Sequence, residues 1–97
     1  MHRVLLERRI RDVHTRLVRA REELAVLNEQ LAVVQESADE ARVRALVSET
    51  PLATQEHSDA ARHADAMARA RDALEKTVAE LERRQDELLA AVVTGKQ

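Results

Sequence analysis

The chain has 97 residues, a formal charge of −2, no Trp, Tyr, Phe or Cys, one Gly and one Pro. Aromatic rings build most cores and most sites that stack bases or cofactors, and glycine loops cradle phosphates. Their scarcity argues against a compact enzyme, and the lack of cysteine excludes disulfides, thiolate chemistry and cysteine zinc sites.

What remains is mostly Ala, Arg, Glu, Leu and Val, the mixture of long helices. No apolar run could span a bilayer. The start, Met1-His2-Arg3-Val4-Leu5-Leu6-Glu7-Arg8-Arg9, lacks the apolar core of a signal peptide. A cytoplasmic protein is the expectation.

The first element is a helix over about residues 2–47. Leu6, Ile10, Val13, Leu17, Ala20, Leu24, Leu27, Leu31, Val34, Ala38, Ala41 and Ala45 recur at strictly alternating steps of four and three. A helix turns every 3.6 residues or so, and such a stripe stays in contact only with another helix wound against it. The turn falls at about 48–50, where Ser48-Glu49-Thr50-Pro51 is the one strong punctuation. Proline disfavours helix at the residue before it and suits the first helical position. Thr50 is placed to cap the next helix.

The second helix covers about 51–93, with Gly95 as its terminator and a tail over 94–97. Its stripe is Ala60, Ala64, Met67, Arg71, Leu74, Val78, Leu81, Gln85, Leu88 and Val92. Two such helices on a short turn fold back antiparallel. Residue numbers in facing pairs then sum to about 98 or to about 105. The first register faces Leu17 to Leu81, Leu24 to Leu74 and Leu31 to Met67, and sets Arg16 near Arg84 and Arg21 near Glu75. The second faces Leu17 to Leu88 and Leu24 to Leu81, and sets Arg21 against Glu82. A tight turn and the covering of Leu6 and Ile10 favour the first. Burying a leucine contributes about 1.5–3 kcal/mol, against about 0–1 for an exposed ion pair. Towards the turn the stripe shrinks to alanine, which predicts a thin, weakly held end. Arg71 and Gln85 interrupt the seam; Arg71 is expected to reach out to solvent.

Helix 1 has more apolar residues than one seam needs. Val4, Leu5, Val18, Ala25, Val26, Ala32, Val33, Leu46 and Val47 sit at two heptad positions on the opposite side. A helix with two apolar faces is usually sandwiched. The expectation is an all-α fold: a long antiparallel two-helix coiled-coil hairpin, one domain over 1–97, dimerising through helix 1 into a four-helix bundle.

Charge is uneven. Residues 1–21 hold seven Arg against Glu7 and Asp12, a formal +5; residues 22–60 hold nine acids against Arg42 and Arg44, a formal −7. The arginines spread around the helix and lie beside helix 2 acids, so internal neutralisation is preferred to nucleic-acid binding. Glu56, Asp59 and His63 share a face after the turn, with His57 beside them. A surface Asp59–His63 pair is the simpler reading than a metal site. No catalytic residue, cofactor, metal or small-molecule substrate is expected, since a seam of Leu, Val and Ala encloses no pocket. The expected contact residues are Val18, Val26, Val33, Leu46, Val47, Glu49, Glu56 and Asp59.

Three resemblances concern shape. The hairpin is similar to small secreted effectors of the WXG type, with Glu49-Thr50-Pro51 where those carry Trp-x-Gly. It also resembles the coiled-coil prong of Gre-type transcript cleavage factors, with Glu49, Glu56 and Asp59 near the turn but without that family's adjacent Asp and Glu. Prefoldin-like scaffold hairpins share the outline alone. The leading expectation is a non-enzymatic coiled-coil adaptor that self-associates and binds an unidentified protein. A transcription factor with an acidic tip for RNA polymerase comes second, and a secreted effector third.

Overall fold

A computed structural model describes residues 2–95, and among them every regular element is helical. Helix α1 runs His2–Ser48 and helix α2 runs Pro51–Val93. The chain's contacts divide into two compact units. One comprises the residues up to Leu24 together with those from Ala73 onward; the other is Ala25–Asp72. The first is a pair of antiparallel helix segments. The second, here the turn unit, is a helical hairpin.

The α1 stripe is reproduced residue for residue. All twelve of its members are buried or half-buried, and every other described residue of α1 is exposed. In the first unit, Leu17 (fully buried), Ala20 and Val78 form the core, with Leu24, Leu74 and Leu81 packed against them. These are the residues that the register summing to about 98 brings together. Arg16 and Arg84 line one surface depression, as that register also requires.

One contact falls on the other side of the expectation. Arg21 Nη2 donates to Glu82 Oε2 at 2.7 Å, a pair reserved above for the alternative register. The reason is geometric. A residue flanking one seam lies between two flanking residues of the antiparallel helix, one heptad apart, and here those are Glu75 and Glu82. Arginine is long enough to take either, so the ion pair does not discriminate between registers; the leucines do. A second polar link crosses the same unit. Gln85 Nε2 lies 3.1 Å from His14 Nδ1.

The α2 stripe is longer than expected. Ala53 is buried and His57 half-buried, and both continue the four–three spacing back from Ala60 to the start of the helix. With them α2 matches α1 at twelve seam positions. In the turn unit the buried side chains are Leu31, Ala41, Ala53 and Ala64, so this end does pack largely through alanine. Arg71 is half-buried, and its Nε donates to Asp72 Oδ1 at 2.8 Å. The stem covers the seam while the head reaches a surface carboxylate.

The turn is built from three residues. Glu49 adopts φ +51° and its N–H donates to the Ala45 carbonyl at 3.1 Å, closing α1 in the left-handed conformation that glycine or asparagine usually takes. Thr50 Oγ1 then accepts from the Ala53 N–H at 3.1 Å, and Pro51 opens α2. At the far end Gly95, φ +71°, donates to the Val92 carbonyl at 3.2 Å.

Substitutions at the turn should act in opposite directions. A side chain in the left-handed region costs about 1–2 kcal/mol, part of which glycine returns as unfolded-chain entropy. Glu49→Gly should therefore stabilise by about 0.5–1 kcal/mol, whereas Thr50→Ala should destabilise by about 1 kcal/mol. Urea midpoints measure both, and a loss of stability in Glu49→Gly would show that Glu49 does more than end the helix.

Candidate interaction surface

The residues expected to make contacts are all on the surface. Val18, Val26, Val33, Leu46 and Val47 are exposed, the last two at 66% and 79%. Glu49, Glu56 and Asp59 are exposed as well. If the seam positions of α1 are heptad a and d, the outer apolar residues are b and c. Between b and c lies position f, occupied by Arg8, Thr15, Glu22, Glu29, Glu36 and Val43. The outer face is thus two apolar rows divided, along most of α1, by polar or charged side chains. Packing the middle of that face dry would strip water from carboxylates, which costs far more than a valine returns.

At the turn the dividing row becomes apolar. Val43 is exposed beside Leu46 and Val47, and Leu52 is exposed on the first turn of α2. Close to the turn, Val43, Leu46, Val47 and Leu52 therefore all stand exposed to water, with Asp39, Glu40 and Glu49 nearby in the chain. The sequence reading missed Val43 and Leu52 because neither falls at the two positions that it followed. In the first unit Val4 and Leu5 are exposed near Arg3, Arg8 and Arg11. Leu89 and Val93 of α2 are exposed in that unit also.

The acidic cluster after the turn is arranged for structure. Asp59 Oδ1 accepts from Gln55 Nε2 at 2.9 Å and from Arg62. Both partners sit one turn away along α2, as the expected partner His63 also does. Among the described residues no group of three His, Asp or Glu side chains is placed to hold a metal ion. Arg83 is pushed above its ordinary pKa by its hydrogen bond to Glu80, then by the charges of Glu80 and Glu87. It is a guanidinium at any accessible pH, so this is surface helix chemistry. The depressions on the first unit are lined by Arg16, Lys76, Thr77, Glu80, Leu81 and Arg84, by Glu80, Arg83, Arg84, Glu87 and Leu88, and by the His14–Glu22 stretch of α1. Each is a surface groove with charged walls.

His57 is the one functional-looking side chain the seam absorbs. Its Nδ1 is buried with no hydrogen-bond partner among the described residues. The register sets it in the layer of Ala41, where small neighbours make room for a ring. An unsatisfied buried nitrogen costs about 1–3 kcal/mol. His57→Leu should therefore raise the urea midpoint, by about 1 kcal/mol in stability; a fall would show that the ring has a partner worth more than the hydrophobic contact.

Comparison with protein-family models, curated proteins and solved structures finds no match to this chain. Among the described residues no helix is long and apolar enough to cross a membrane.

Proposed function

We propose that the chain is a non-enzymatic interaction protein of the cytoplasm, a coiled-coil hairpin that self-associates through the outer face of α1 into a four-helix bundle and holds a protein partner. The observation that carries this reading is the exposure of Val4, Leu5, Val18, Val26, Val33, Val43, Leu46 and Val47 on one helix. Apolar residues scattered singly over a surface are ordinary. A set confined to one side of one helix, in a chain whose seam is already filled, is what a second contact surface requires.

The patch at the turn favours a protein partner over mimicry of nucleic acid. Leu46, Val47 and Leu52 are exposed and would contribute through removal from water, which an apolar protein surface supplies and which a mimic of the phosphate backbone does not require. The surrounding acids, Asp39, Glu40, Glu49, Glu56 and Asp59, would set orientation and discourage wrong partners.

Sedimentation tests self-association directly. The wild type should form a dimer at about 50 µM, an affinity of at least about −6 kcal/mol. Val26→Asp with Val33→Asp should weaken it by about 100-fold or more, since the dimer would gather four further carboxylates beside Glu22 and Glu29, and like charges brought together cost on the order of several kcal/mol. The far-ultraviolet spectrum should stay helical. A wild type that is monomeric throughout overturns the reading; loss of all helicity in the double variant would show that hairpin and dimer form as one unit.

A further inference from the structure

Resting on the self-association just proposed, we infer that the second copy runs antiparallel, with Val4 and Leu5 at the basic start of one α1 docking on Leu46 and Val47 at the acidic turn of the other. A closed pair carries this contact twice. The two patches occupy the same heptad positions, b and c, so they lie on the same side of the helix in the sequence pattern. All four side chains stand exposed, Val4 and Leu5 at 55% and 49%.

Charge selects the orientation. On the outer positions b, c and f the start of α1 carries Arg8 and Arg11, while the approach to the turn carries Glu36, Asp39 and Glu40; Arg9, Arg42 and Arg44 fall at the seam-flanking positions e and g. Opposing Val4 to Val47 brings Arg11 opposite Glu40, Val18 opposite Val33 and Ala25 opposite Val26 at the two-fold axis. A parallel pair would instead bring Arg11 onto Arg11 and Glu40 onto Glu40, which like charges disfavour. The antiparallel pairing has unfavourable layers of its own. Glu22 faces Glu29 near the axis, so the centre stays hydrated. Asp12 approaches Asp39, although Asp12 already leans on Arg16 at 4.0 Å. The ends are the strongest part of the contact, because there position f is Arg8 or Val43 rather than an acid.

The described chain has no cysteine, which makes the test clean. Leu5→Cys and Leu46→Cys are prepared separately, mixed in equal amounts and equilibrated in a glutathione redox buffer, which supplies the oxidant. A disulfide forms only where the two Cα atoms come within about 7 Å. The mixed 5–46 disulfide should exceed the 5–5 and 46–46 species several-fold. The double variant Leu5→Cys/Leu46→Cys should stop at a covalent dimer. Dominance of 5–5 and 46–46, or a statistical mixture, overturns the antiparallel pair, and a ladder of higher species shows open head-to-tail assembly instead of a closed one. Sedimentation of the wild type separates the two ideas. A dimer that links 5 to 5 leaves self-association standing and removes only the orientation, whereas a monomer removes both.

Discussion

The closure of one aliphatic stripe upon another is the constraint on which everything else depends. Without aromatic residues, no single side chain can dominate a core. Leu17, Ala20 and Val78 bury what they can, and each leucine layer contributes about 1.5–3 kcal/mol of transfer energy. Stability of this kind is a sum of small, similar terms strung along the seam. It tolerates a polar residue in one layer and rewards strict spacing in all of them. A single inserted residue would turn every later seam side chain through about 100° and out of contact.

Electrostatics decorates that seam without setting it. Arg21 reaches Glu82, yet the leucine layers and the two-residue turn already decide the register. The remaining recorded ion pairs, such as Arg3–Glu7 and Arg83–Glu87, lie within one helix and are exposed. Pairs of that kind contribute a few tenths of a kcal/mol. The polar seam residues are resolved one by one instead. Gln85 finds His14, Arg71 finds Asp72, and His57 Nδ1 has no hydrogen-bond partner among the described residues. The cost of that last position falls in the alanine layers, where little burial offsets it.

The fold was legible because its signal is periodic and redundant. Twelve consecutive hits in α1 mark the face that packs on α2, and Pro51 after Thr50 can open a helix but not continue one. What was not legible shares one cause, that a residue's type was read before its phase. The sequence reading sets His57 only beside Glu56, Asp59 and His63, although the four–three spacing places it on the seam. The outer face was read from positions b and c, which hid the acids at f and also hid Val43. Arg21 is given Glu75 in one register and Glu82 in the other, although its reach spans both. In each case the helical phase was available and the chemistry of the side chain drew attention away from it.

The two ends of α1 carry residues that the helix itself would not select. The positive end of a helix dipole favours acids in the first turn and the negative end favours bases in the last. The first turn of α1 has no acid and the last turn has no base. Arginine follows the start closely, at Arg3, and Leu46 and Val47 occupy the finish. Neither choice serves capping, and none of Val4, Leu5, Leu46 and Val47 is spent on the seam, where Leu6 and Ala45 already stand. Residues that neither cap their own helix nor serve its seam are what the proposed contact surface of α1 draws on. The ends of α1, rather than its carboxylate-lined middle, are where that surface has to be sought.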